Sequence, residues 1–468
     1  MDRDPRIEPF VKVMQRDGLP GAAIRSFLLH LERFLSGERG LLPEAAIEPV
    51  SELEDLDALP PPTRAAREAL ARTVVIRLNG GLGTSMGLHH ARSLLPVKEG
   101  LTFLDLIARQ VLVLRRQLGV KLPLLLMNSF RTDAESLEAL AAHRDLQVEG
   151  LPLSFLQSRV PRILEEDLTP APLRFPGDDA WCPPGHGDLY TSLDTSGLLD
   201  RLLGAGYEHA FVSNADNLGA VVEPSILGYM VESRATFLME AADRTAADRK
   251  GGHLCRLRDG SLALRETAQV APGEEPLFQD IERHRYFNTN NLWFHLPTLK
   301  ELLERHGGFL PLDTIVNRKT LDPSDPSSPP VVQLETAMGA AISLFPRATA
   351  LRVPRRRFSP VKTTDDLLAV RSDAYVLTED ARVVLDPRRE VPPRVRLDSR
   401  FYRLLEPFED RFARGVPSLL ECSSLLVEGN VFFGAGVVAR GEVSILAGEA
   451  AVTLPDGITL TGTRRLSA

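Results

Sequence analysis

The chain has 468 residues, 25% of them charged and 43% hydrophobic, and a formal net charge of −8. These values are typical of a globular protein with two or three domains, and the negative charge argues against a large nucleic-acid-binding face. The absence of any run of about 18 apolar residues predicts no membrane span. Cys182, Cys255 and Cys422 form no C-x-x-C pair, so we expect no disulfide framework or zinc site, as fits a reducing cytoplasm.

The first 70 residues are predicted to form a helical segment. Apolar residues recur there at three- and four-residue steps until Gly37, which is one face of an amphipathic helix: Ile24, Phe27, Leu28, Leu31, Phe34 and Leu35. Prolines at 43, 49 and 60–62 then break the pattern and indicate a linker. We therefore expect residues 1–70 to be an appendage to the main domain.

Short apolar runs alternate with helical ones from about residue 71, which is typical of a βαβ layer structure with a parallel sheet. Strands are predicted at residues 74–78, 122–127, 153–157, 210–213 and 236–240. Helical spacing from Phe103 to Leu114 predicts a helix between the first two strands. Thr132 and Glu135 read as a capping box that opens another helix.

A loop with four glycines follows the first predicted strand. Gly80, Gly81 and Gly83 can take positive φ and bring backbone N–H groups against an anion, and Thr84 and Ser85 add hydroxyl donors. No lysine follows Gly83 or Gly87, which excludes a P-loop, and Met86 stands where a dinucleotide-binding fingerprint needs its third glycine. The loop is therefore predicted to bind a polyphosphate by other means.

Further polar residues follow the predicted strands. Asn214 and Asp216 lie two apart at a strand end, either as an ordinary turn or as a Mg²⁺ and sugar site. Glycine-flanked loops carry His186 and His253, and 288–291 brings three amides together. Amides and neutral imidazoles suit sugar hydroxyls because each can donate and accept hydrogen bonds.

Eight motifs, in this order, carry a resemblance to a known family: LNGGLGTSMG, LMNSF, PPGHGDLY, FVSNADNLGA, KGGHL, FNTNNLW, QLETAMGAAI and PVKTTDDLL. They resemble those of the eukaryotic-type UTP:glucose-1-phosphate uridylyltransferases, also called UDP-glucose pyrophosphorylases, most closely over residues 70–375. The resemblance implies an α/β, Rossmann-like nucleotidyltransferase core with a mixed central sheet. It also implies an enzyme that uses Mg²⁺ to make UDP-glucose and pyrophosphate from UTP and glucose 1-phosphate.

The resemblance also implies roles for particular residues. Substrate binding falls on Leu78, Gly80, Gly81, Gly83, Thr84, Gln157, His186, Gly187, Asn214, Glu266, Asn288 and Asn290. Among these, Gly80, Gly81 and Gln157 would contact uracil, with residues 127–129 and Gly187 nearby. Asp216 would hold the Mg²⁺, and Lys362 would bind phosphate.

Arg92 departs from the family pattern, which has lysine there, and Ala91 replaces the proline before it. Arginine keeps the charge but spreads it over a larger fork, so the two residues are not equivalent. Lys98 is an alternative cation, expected in a turn and facing solvent. The expected reaction needs no enzyme nucleophile, because the sugar phosphate attacks the α-phosphorus of UTP in line while Arg92, Lys362 and Mg²⁺ at Asp216 supply positive charge.

Two other functions stay open at this point. A UDP-sugar pyrophosphorylase of broader specificity would share the glycine loop, although residues 288–291 match the glucose branch. A non-catalytic UDP-sugar-binding relative is the other alternative, because Arg92 replaces a catalytic lysine. Turnover of UTP and glucose 1-phosphate would distinguish them, and a uracil site built on Gln157 predicts that ATP is a poor substrate.

The last hundred residues show a six-residue periodicity. One register holds Leu425, Val431, Val437 and Val443, a second holds Val427, Phe433, Ala439 and Ile445, and a third holds the small residues Gly429, Ala435 and Gly441. Such spacing predicts a parallel, left-handed β-helix at 376–468 after a catalytic domain at 71–375, with a stack of hairpins as the alternative. In the resembled family this domain forms oligomers when they occur, so we expect a monomer or a homo-oligomer assembled through it.

Overall fold

The computed structural model describes residues 4–38, 40–172, 180–322, 325 and 327–467. Its helices are, in chain order, α1 Glu8–Arg16, α2 Gly21–Leu35, α3 Arg64–Leu70, α4 Phe103–Leu118, α5 Asp133–Leu140, α6 Leu189–Thr195, α7 Leu198–Gly204, α8 Pro224–Glu232, α9 Glu275–Phe278, α10 Leu296–Arg305, α11 Thr364–Arg371, α12 Ser399–Tyr402 and α13 Leu405–Arg411. Within the described part of the chain, no helix is both long and apolar enough to cross a membrane.

The strands are, in chain order, β1 Ile47–Pro49, β2 Thr73–Asn79, β3 Pro96–Lys98, β4 Leu101–Thr102, β5 Leu124–Asn128, β6 Ser154–Leu156, β7 Val160–Pro161, β8 Ile163–Leu164, β9 Trp181–Cys182, β10 His209–Asn214, β11 Phe237–Asp243, β12 His253–Leu257, β13 Leu262–Arg265, β14 Tyr286–His295, β15 Ile315–Thr320, β16 Pro330–Glu335, β17 Ala348–Arg352, β18 Tyr375–Leu377, β19 Val383–Leu385, β20 Arg394–Leu397, β21 Ser418–Glu428, β22 Val431–Phe432, β23 Val438–Leu446, β24 Val452–Thr453 and β25 Thr459–Arg465. All five predicted strands of the main domain are present, with ends shifted by a few residues.

A mixed sheet of ten strands forms the centre of the molecule, in the order β1-β12-β14-β10-β2-β5-β6. Strands β10, β2, β5 and β6 run parallel, whereas β14 is antiparallel to β10. Strand β11 pairs with β14 and β17, and β13 pairs with β12, off this path. The α/β class and the mixed central sheet are confirmed. The carboxyl ends of β2, β5 and β10 meet at one edge, where open α/β sheets bind ligands.

Helices cover both faces of this sheet because its parallel strands are apolar on both sides. Leucines of α6, α7 and α10 pack on one face, together with Tyr190 and Phe294. Helices α3, α4 and α8 cover the other face, where Phe211 stacks near Trp293 at a centroid distance of 4.4 Å. The predicted helix after Phe103 is α4, and its N-terminus is closed by a capping box between Thr102 and Asp105.

The capping box predicted at Thr132 and Glu135 is wrong. The Thr132 side chain makes no cap to α5, and its hydroxyl instead lies within hydrogen-bond distance of Ser129. The Glu135 carboxylate accepts the backbone N–H of Ala91 at 2.6 Å. A contact between distant segments therefore replaces the local one that the sequence suggested.

The N-terminal segment is joined closely to the rest of the molecule. The predicted amphipathic helix is α2, and its apolar face packs with α1 against β7, β9 and β16. Strand β1 pairs with β12 at the edge of the central sheet. Glu44 also binds the fully buried side chain of Arg265 at 2.6 Å. The boundary at residue 70 stays a prediction, as does the one at residue 375.

The C-terminal region is built on parallel strands. Sheet β20-β21-β23-β25 is parallel throughout, and β22 and β24 form a second parallel pair. Leu425 pairs with Val443, three six-residue steps along the chain. Both apolar registers found in the sequence are buried. Their core also takes in Met86 and Leu88, at the end of the glycine loop, so this region packs against that loop.

Candidate active site

A cleft of about 270 Å³ lies at the carboxyl ends of β2, β5 and β10. Its lining comes from the ends of β2, β5 and β10 and from several loops. These are the glycine loop, which we define as residues 79–87, the segment of Arg92 and Ser93 that follows it, and the loops after β6, β9 and β10. The lining residues are Leu78, Asn79, Gly80, Gly81, Arg92, Ser93, Met127, Gln157, Pro183, Gly185, His186, Asn214, Ala215 and Asp216. The cleft therefore brings together residues that are far apart in sequence.

Eight of the predicted site residues line this cleft: Leu78, Gly80, Gly81, Arg92, Gln157, His186, Asn214 and Asp216. Seven others do not: Gly83, Thr84, Gly187, Glu266, Asn288, Asn290 and Lys362. Asn214 ends β10 and Asp216 lies in the turn after it, and the two share the cleft as expected. The roles assigned to all of these residues stay predictions.

The glycine loop holds its shape mainly through close packing. Its only described glycine with positive φ is Gly87, at 75°, so the expected positive φ at Gly80, Gly81 and Gly83 is wrong. A Cβ on Gly80 would lie 2.7 Å from Nε2 of Gln157, and one on Gly83 would lie 2.3 Å from Cδ1 of Leu88. A Cβ on Gly81 would meet nothing within 4 Å. Gly80 thus allows contact with Gln157, and Gly81 leaves room for a ligand.

Arg92 and Asp216 form an ion pair in the cleft. Nη1 of Arg92 donates to Oδ2 of Asp216 at 2.7 Å, and both side chains are mostly buried. Oδ1 of Asp216 and Nε of Arg92 are also buried, and neither has a hydrogen-bond partner. Burial of an unpaired polar atom is costly, so both atoms are suited to binding a charged ligand.

The segment that carries Lys362 lies directly against the loop of Asp216. The N–H of Val361 donates to the backbone oxygen of Asp216 at 3.1 Å, and Asn217 forms an antiparallel bridge with Pro360. Lys362 itself is exposed, and it is the nearby charge that helps to lower the pKa of His186. The segment that carries Lys362 is therefore held beside the loop of Asp216.

His186 is a neutral imidazole. Its Nδ1 accepts the N–H of Met338 at 3.0 Å, which leaves Nε2 to carry the ring proton. Burial, helped by the charge of Lys362, lowers its pKa to about 4. The next residue, Gly187, lies close against Thr336. A Cβ on this residue would be 2.4 Å from Oγ1 of that threonine, so only glycine fits there. The free Nε2–H of His186 is therefore available to donate a hydrogen bond into the cleft, and the ring carries no charge.

Asn288 and Asn290 form a bulge in β14. Pairing with β11 shifts register between Met239 and Ala241, and Asn290 takes a φ of 59°. Nδ2 of Asn288 donates to Oδ1 of Asn290 at 2.9 Å. The two side chains therefore meet at a bulge rather than along a regular extended strand. We call residues 288–291 the asparagine bulge.

Glu266 follows β13 and packs on the glycine pair of the KGGHL motif. A Cβ on Gly252 would lie 2.4 Å from Oε2 of Glu266, so only glycine fits against this carboxylate. Burial raises the pKa of Glu266. Leu264 of the same strand approaches Gly339, as does Nδ2 of Asn288. Asn288 and the strand that leads to Glu266 thus meet at Gly339.

Lys98 does not face solvent, so that prediction is wrong. It lies on β3 with only 7% of its surface exposed. Its Nζ donates to the backbone oxygens of Val370 and Ser372 at 3.2 and 2.6 Å. These carbonyls end α11, and a cation at a helix C-terminus is favourable. Lys98 is therefore a helix-capping residue rather than an alternative cation for the cleft.

The sequence reasoning missed several residues of the cleft. Asn79 ends β2, and its Nδ2 donates at 2.8 Å to Oδ1 of Asn128, at the end of the neighbouring strand β5. Position at the carboxyl end of a parallel strand could have identified Asn79. Ser93, Pro183 and Gly185 gave no such signal, because their place in the cleft depends on the course of loops.

The sequence that builds this cleft matches known proteins along most of its length. The family model described as UTP--glucose-1-phosphate uridylyltransferase matches residues 24–440. The chain belongs to this family. The uridylyltransferase of Solanum tuberosum is 40% identical over 446 residues, which covers 93% of this chain and 90% of that protein. That of Saccharomyces cerevisiae is 44% identical over 394 residues, or 84% and 77% of the two chains.

Solved structures of this family superpose along the whole chain. A mutant of the UDP-glucose pyrophosphorylase of Leishmania major, in complex with UDP-glucose, is 45% identical, has a TM-score of 0.93 and covers 100% of both chains. Membership of the uridylyltransferase family is therefore supported by sequence and by fold over the same residues.

Proposed function

We propose that this protein makes UDP-glucose and pyrophosphate from UTP and glucose 1-phosphate, with Mg²⁺. The observation that carries the proposal is the cleft at the carboxyl ends of β2, β5 and β10, which brings together the glycine loop, Gln157, Arg92 and Asp216. A nucleotide fits there with its base at one end and its phosphates at the other. Family membership supports the same reaction, since the matching relatives are named for it.

Base recognition is assigned to Gln157 and the backbone of Gly80 and Gly81. The Gln157 amide is held against Gly80, and Gly81 leaves open space above the loop. An amide both donates and accepts, which matches the alternating edge of uracil. A purine would leave buried polar groups of this site unpaired, so selection for UTP over ATP follows from the same contacts.

Arg92 and Lys362 neutralise the two phosphate groups that must meet. Arg92 lies in the cleft, and Lys362 is held beside it by the contact between Val361 and Asp216. The phosphate oxygen of glucose 1-phosphate attacks the α-phosphorus of UTP in line, and the bond to pyrophosphate breaks. No protein nucleophile is required, and the neutral His186 acts as a ligand contact rather than as a base.

Asp216 is the residue that would hold Mg²⁺. Its Oδ1 is buried and has no partner, so the residue fits a cation. No group of three or more histidine, cysteine or acidic side chains able to hold a metal occurs within the described residues, so phosphate oxygens must supply most of the remaining ligands. When bound, Mg²⁺ withdraws charge from the phosphates and stabilises the leaving pyrophosphate.

Turnover by the purified chain tests the proposal. We expect pyrophosphate release with UTP, glucose 1-phosphate and Mg²⁺, and a kcat/KM at least about a hundredfold lower when ATP replaces UTP, because unpaired buried groups discriminate strongly. Glucose 1-phosphate should also be preferred to galactose 1-phosphate. Equal use of both sugars would favour a broad-specificity pyrophosphorylase. Absence of turnover with intact UDP-glucose binding would favour a non-catalytic relative.

We also propose that the C-terminal parallel strands form a left-handed β-helix. Support comes from the two parallel sheets and from the six-residue registers that are buried between them. Gly429 takes a φ of 93° where the chain turns between β21 and β22, and Gly441 takes a φ of 64° at a register shift inside β23. An experimental structure in which the strands coil with the opposite hand would contradict this proposal.

A further inference from the structure

Asn217 is a buried residue next to Asp216 that the reaction described above does not use. Only 6% of its surface is exposed, and its side chain makes hydrogen bonds at both ends of the amide. Two segments that carry charged site residues meet at this side chain. We call residues 214–221 the Asp216 loop and residues 357–363 the Lys362 segment.

The Oδ1 atom of Asn217 accepts two backbone N–H groups. One belongs to Gly219 in its own loop, at 3.1 Å, and the other to Ser359 in the Lys362 segment, at 2.9 Å. The Nδ2 atom donates to the backbone oxygen of Arg357 at 3.1 Å and to Oδ1 of Asn291 at 3.2 Å. All four hydrogen-bonding positions of the amide are thus used, which fixes its orientation.

These contacts link three parts of the site. Asn291 belongs to the asparagine bulge, so the amide of Asn217 joins that bulge to the Asp216 loop and to the Lys362 segment. Backbone packing supports the same link, because a Cβ on Gly219 would lie 2.4 Å from the backbone oxygen of Arg356. The two backbones therefore touch directly at this point.

A rigid base lies beneath the link. The Arg357 side chain is almost fully buried and binds Glu240 through two hydrogen bonds of 2.6 and 2.7 Å. Trp293 donates to the same carboxylate at 2.9 Å, and Nη2 of Arg357 also donates to the backbone oxygen of Val221 at 2.9 Å. A buried pair with its hydrogen bonds satisfied resists movement, so Arg357 offers Asn217 a fixed anchor.

We propose that Asn217 is a positioning residue that holds the Asp216 loop against the Lys362 segment, and so sets where the Asp216 carboxylate and the Lys362 ammonium stand relative to each other. The inference rests on the proposed function, since both charges act on the reacting phosphates there. Gln157, to which uracil binding is assigned, is not among the hydrogen-bond partners of Asn217. Loss of the link should therefore lower kcat and leave UTP binding largely unchanged.

The test compares Asn217→Ala with Gln110→Ala. Gln110 is a matched control because it too is a buried amide, 7% exposed, and donates to a backbone oxygen, that of Ala381 at 2.9 Å, away from the cleft. We expect both variants to unfold at lower temperature. Only Asn217→Ala should lose kcat, by on the order of a hundredfold, since small misplacements of reacting groups have effects of that size. Its KM for UTP should change less than about threefold.

Equal kcat values for the two variants would overturn the inference, as would a rise in KM for UTP without loss of kcat. Hydrogen exchange of the wild-type protein gives a second test that needs no variant. The amides of Gly219, Ser359 and Val361 should exchange slowly, and exchange at the rate of an unfolded peptide would also overturn it. An inactive wild-type protein with protected amides would instead contradict the proposed function alone.

Discussion

Arg92 is predicted to stand where the family pattern has lysine, and the structure pairs it with Asp216 at 2.7 Å. We expect Arg92→Ala to lower kcat/KM by about a hundredfold or more, because it removes a charged donor aimed at the phosphates. Arg92→Lys should keep much of the activity, since the charge remains. Steady-state kinetics with UTP as the varied substrate measures both.

Lys98→Met is the control for the Arg92 variants. It removes a cation six residues along the chain, one that caps α11 and lies outside the cleft. We expect a lower unfolding temperature and unchanged kcat/KM for the folded protein. Near-normal activity of Arg92→Ala together with an inactive Lys98→Met would show that the phosphates are bound by the other cation.

At the scale of elements, the glycine loop and the loop after β6 form one unit. Gly80→Ala would place a Cβ 2.7 Å from Nε2 of Gln157 and force that amide to move. We expect KM for UTP to rise about tenfold, as for the loss of one or two hydrogen bonds, with a smaller change in kcat. Isothermal titration calorimetry with UTP should show the same ratio between the Kd of Gly80→Ala and the Kd of the wild type.

Gly204→Ala serves as the control for Gly80→Ala. A Cβ at Gly204, at the end of α7, would meet nothing within 4 Å. Its KM for UTP should equal that of the wild type. A Gly80→Ala protein with an unchanged KM would show that the position of Gln157 does not matter for UTP.

Elements whose pattern is local were predicted well from the sequence. The strand and loop from Thr73 to Gly87, helix α2 and the parallel C-terminal strands follow from periodicity and glycine spacing. Contacts between distant segments were not predictable in this way. Glu135 binds the backbone of Ala91, and Lys98 caps α11, because the fold brings those segments together.

The candidate site shows the same division. Asp216 and Arg92 were identified by their motifs, and both line the cleft. The role of Asn217 lies in hydrogen bonds to Ser359 and Arg357, more than a hundred residues away. The bulge at Asn290 depends on how β14 pairs with β11. No local pattern encodes either feature.

At the scale of the whole molecule, buried histidines make stability depend on pH. Burial lowers the pKa of His30, His186 and His209 to about 4 and that of His253 to about 2. As the pH falls, the unfolded chain binds protons at these residues first. Their contribution to the free energy of unfolding is therefore fully present above a pH of about 6.5 and is lost as the pH falls below that value. Each histidine should cost about 1 kcal/mol at pH 5.5.

Three acidic groups, Glu266 among them, act in the opposite direction because burial raises their pKa. Burial raises the pKa of Asp188 and of Asp365 to about 6. The folded protein therefore takes up protons at these carboxyl groups before the unfolded chain does, which raises the free energy of unfolding as the pH falls. The four histidines outweigh them. We expect the midpoint of urea unfolding to be lower at pH 5.5 than at pH 7.5. An equal or higher midpoint at pH 5.5 would contradict the burial of these histidines.

Assembly through the C-terminal domain and a cytoplasmic location stay predictions, as do the boundaries at residues 70 and 375. The three cysteines are free and buried, in accord with the expectation of no disulfide framework. Size-exclusion chromatography with light scattering would give the oligomeric state directly. None of these properties alters the chemistry assigned to the cleft.

The most direct test of the central claim is the Mg²⁺-dependent rate of UDP-glucose formation by Asp216→Ala, beside Asp200→Ala as a control. Asp200 is an exposed carboxylate that pairs with Lys300 at 2.9 Å outside the cleft. We predict that Asp216→Ala folds normally and loses about a thousandfold or more in kcat, because a metal ligand at the reacting phosphates is gone, while Asp200→Ala keeps its rate. Wild-type turnover by a folded Asp216→Ala protein would contradict the account.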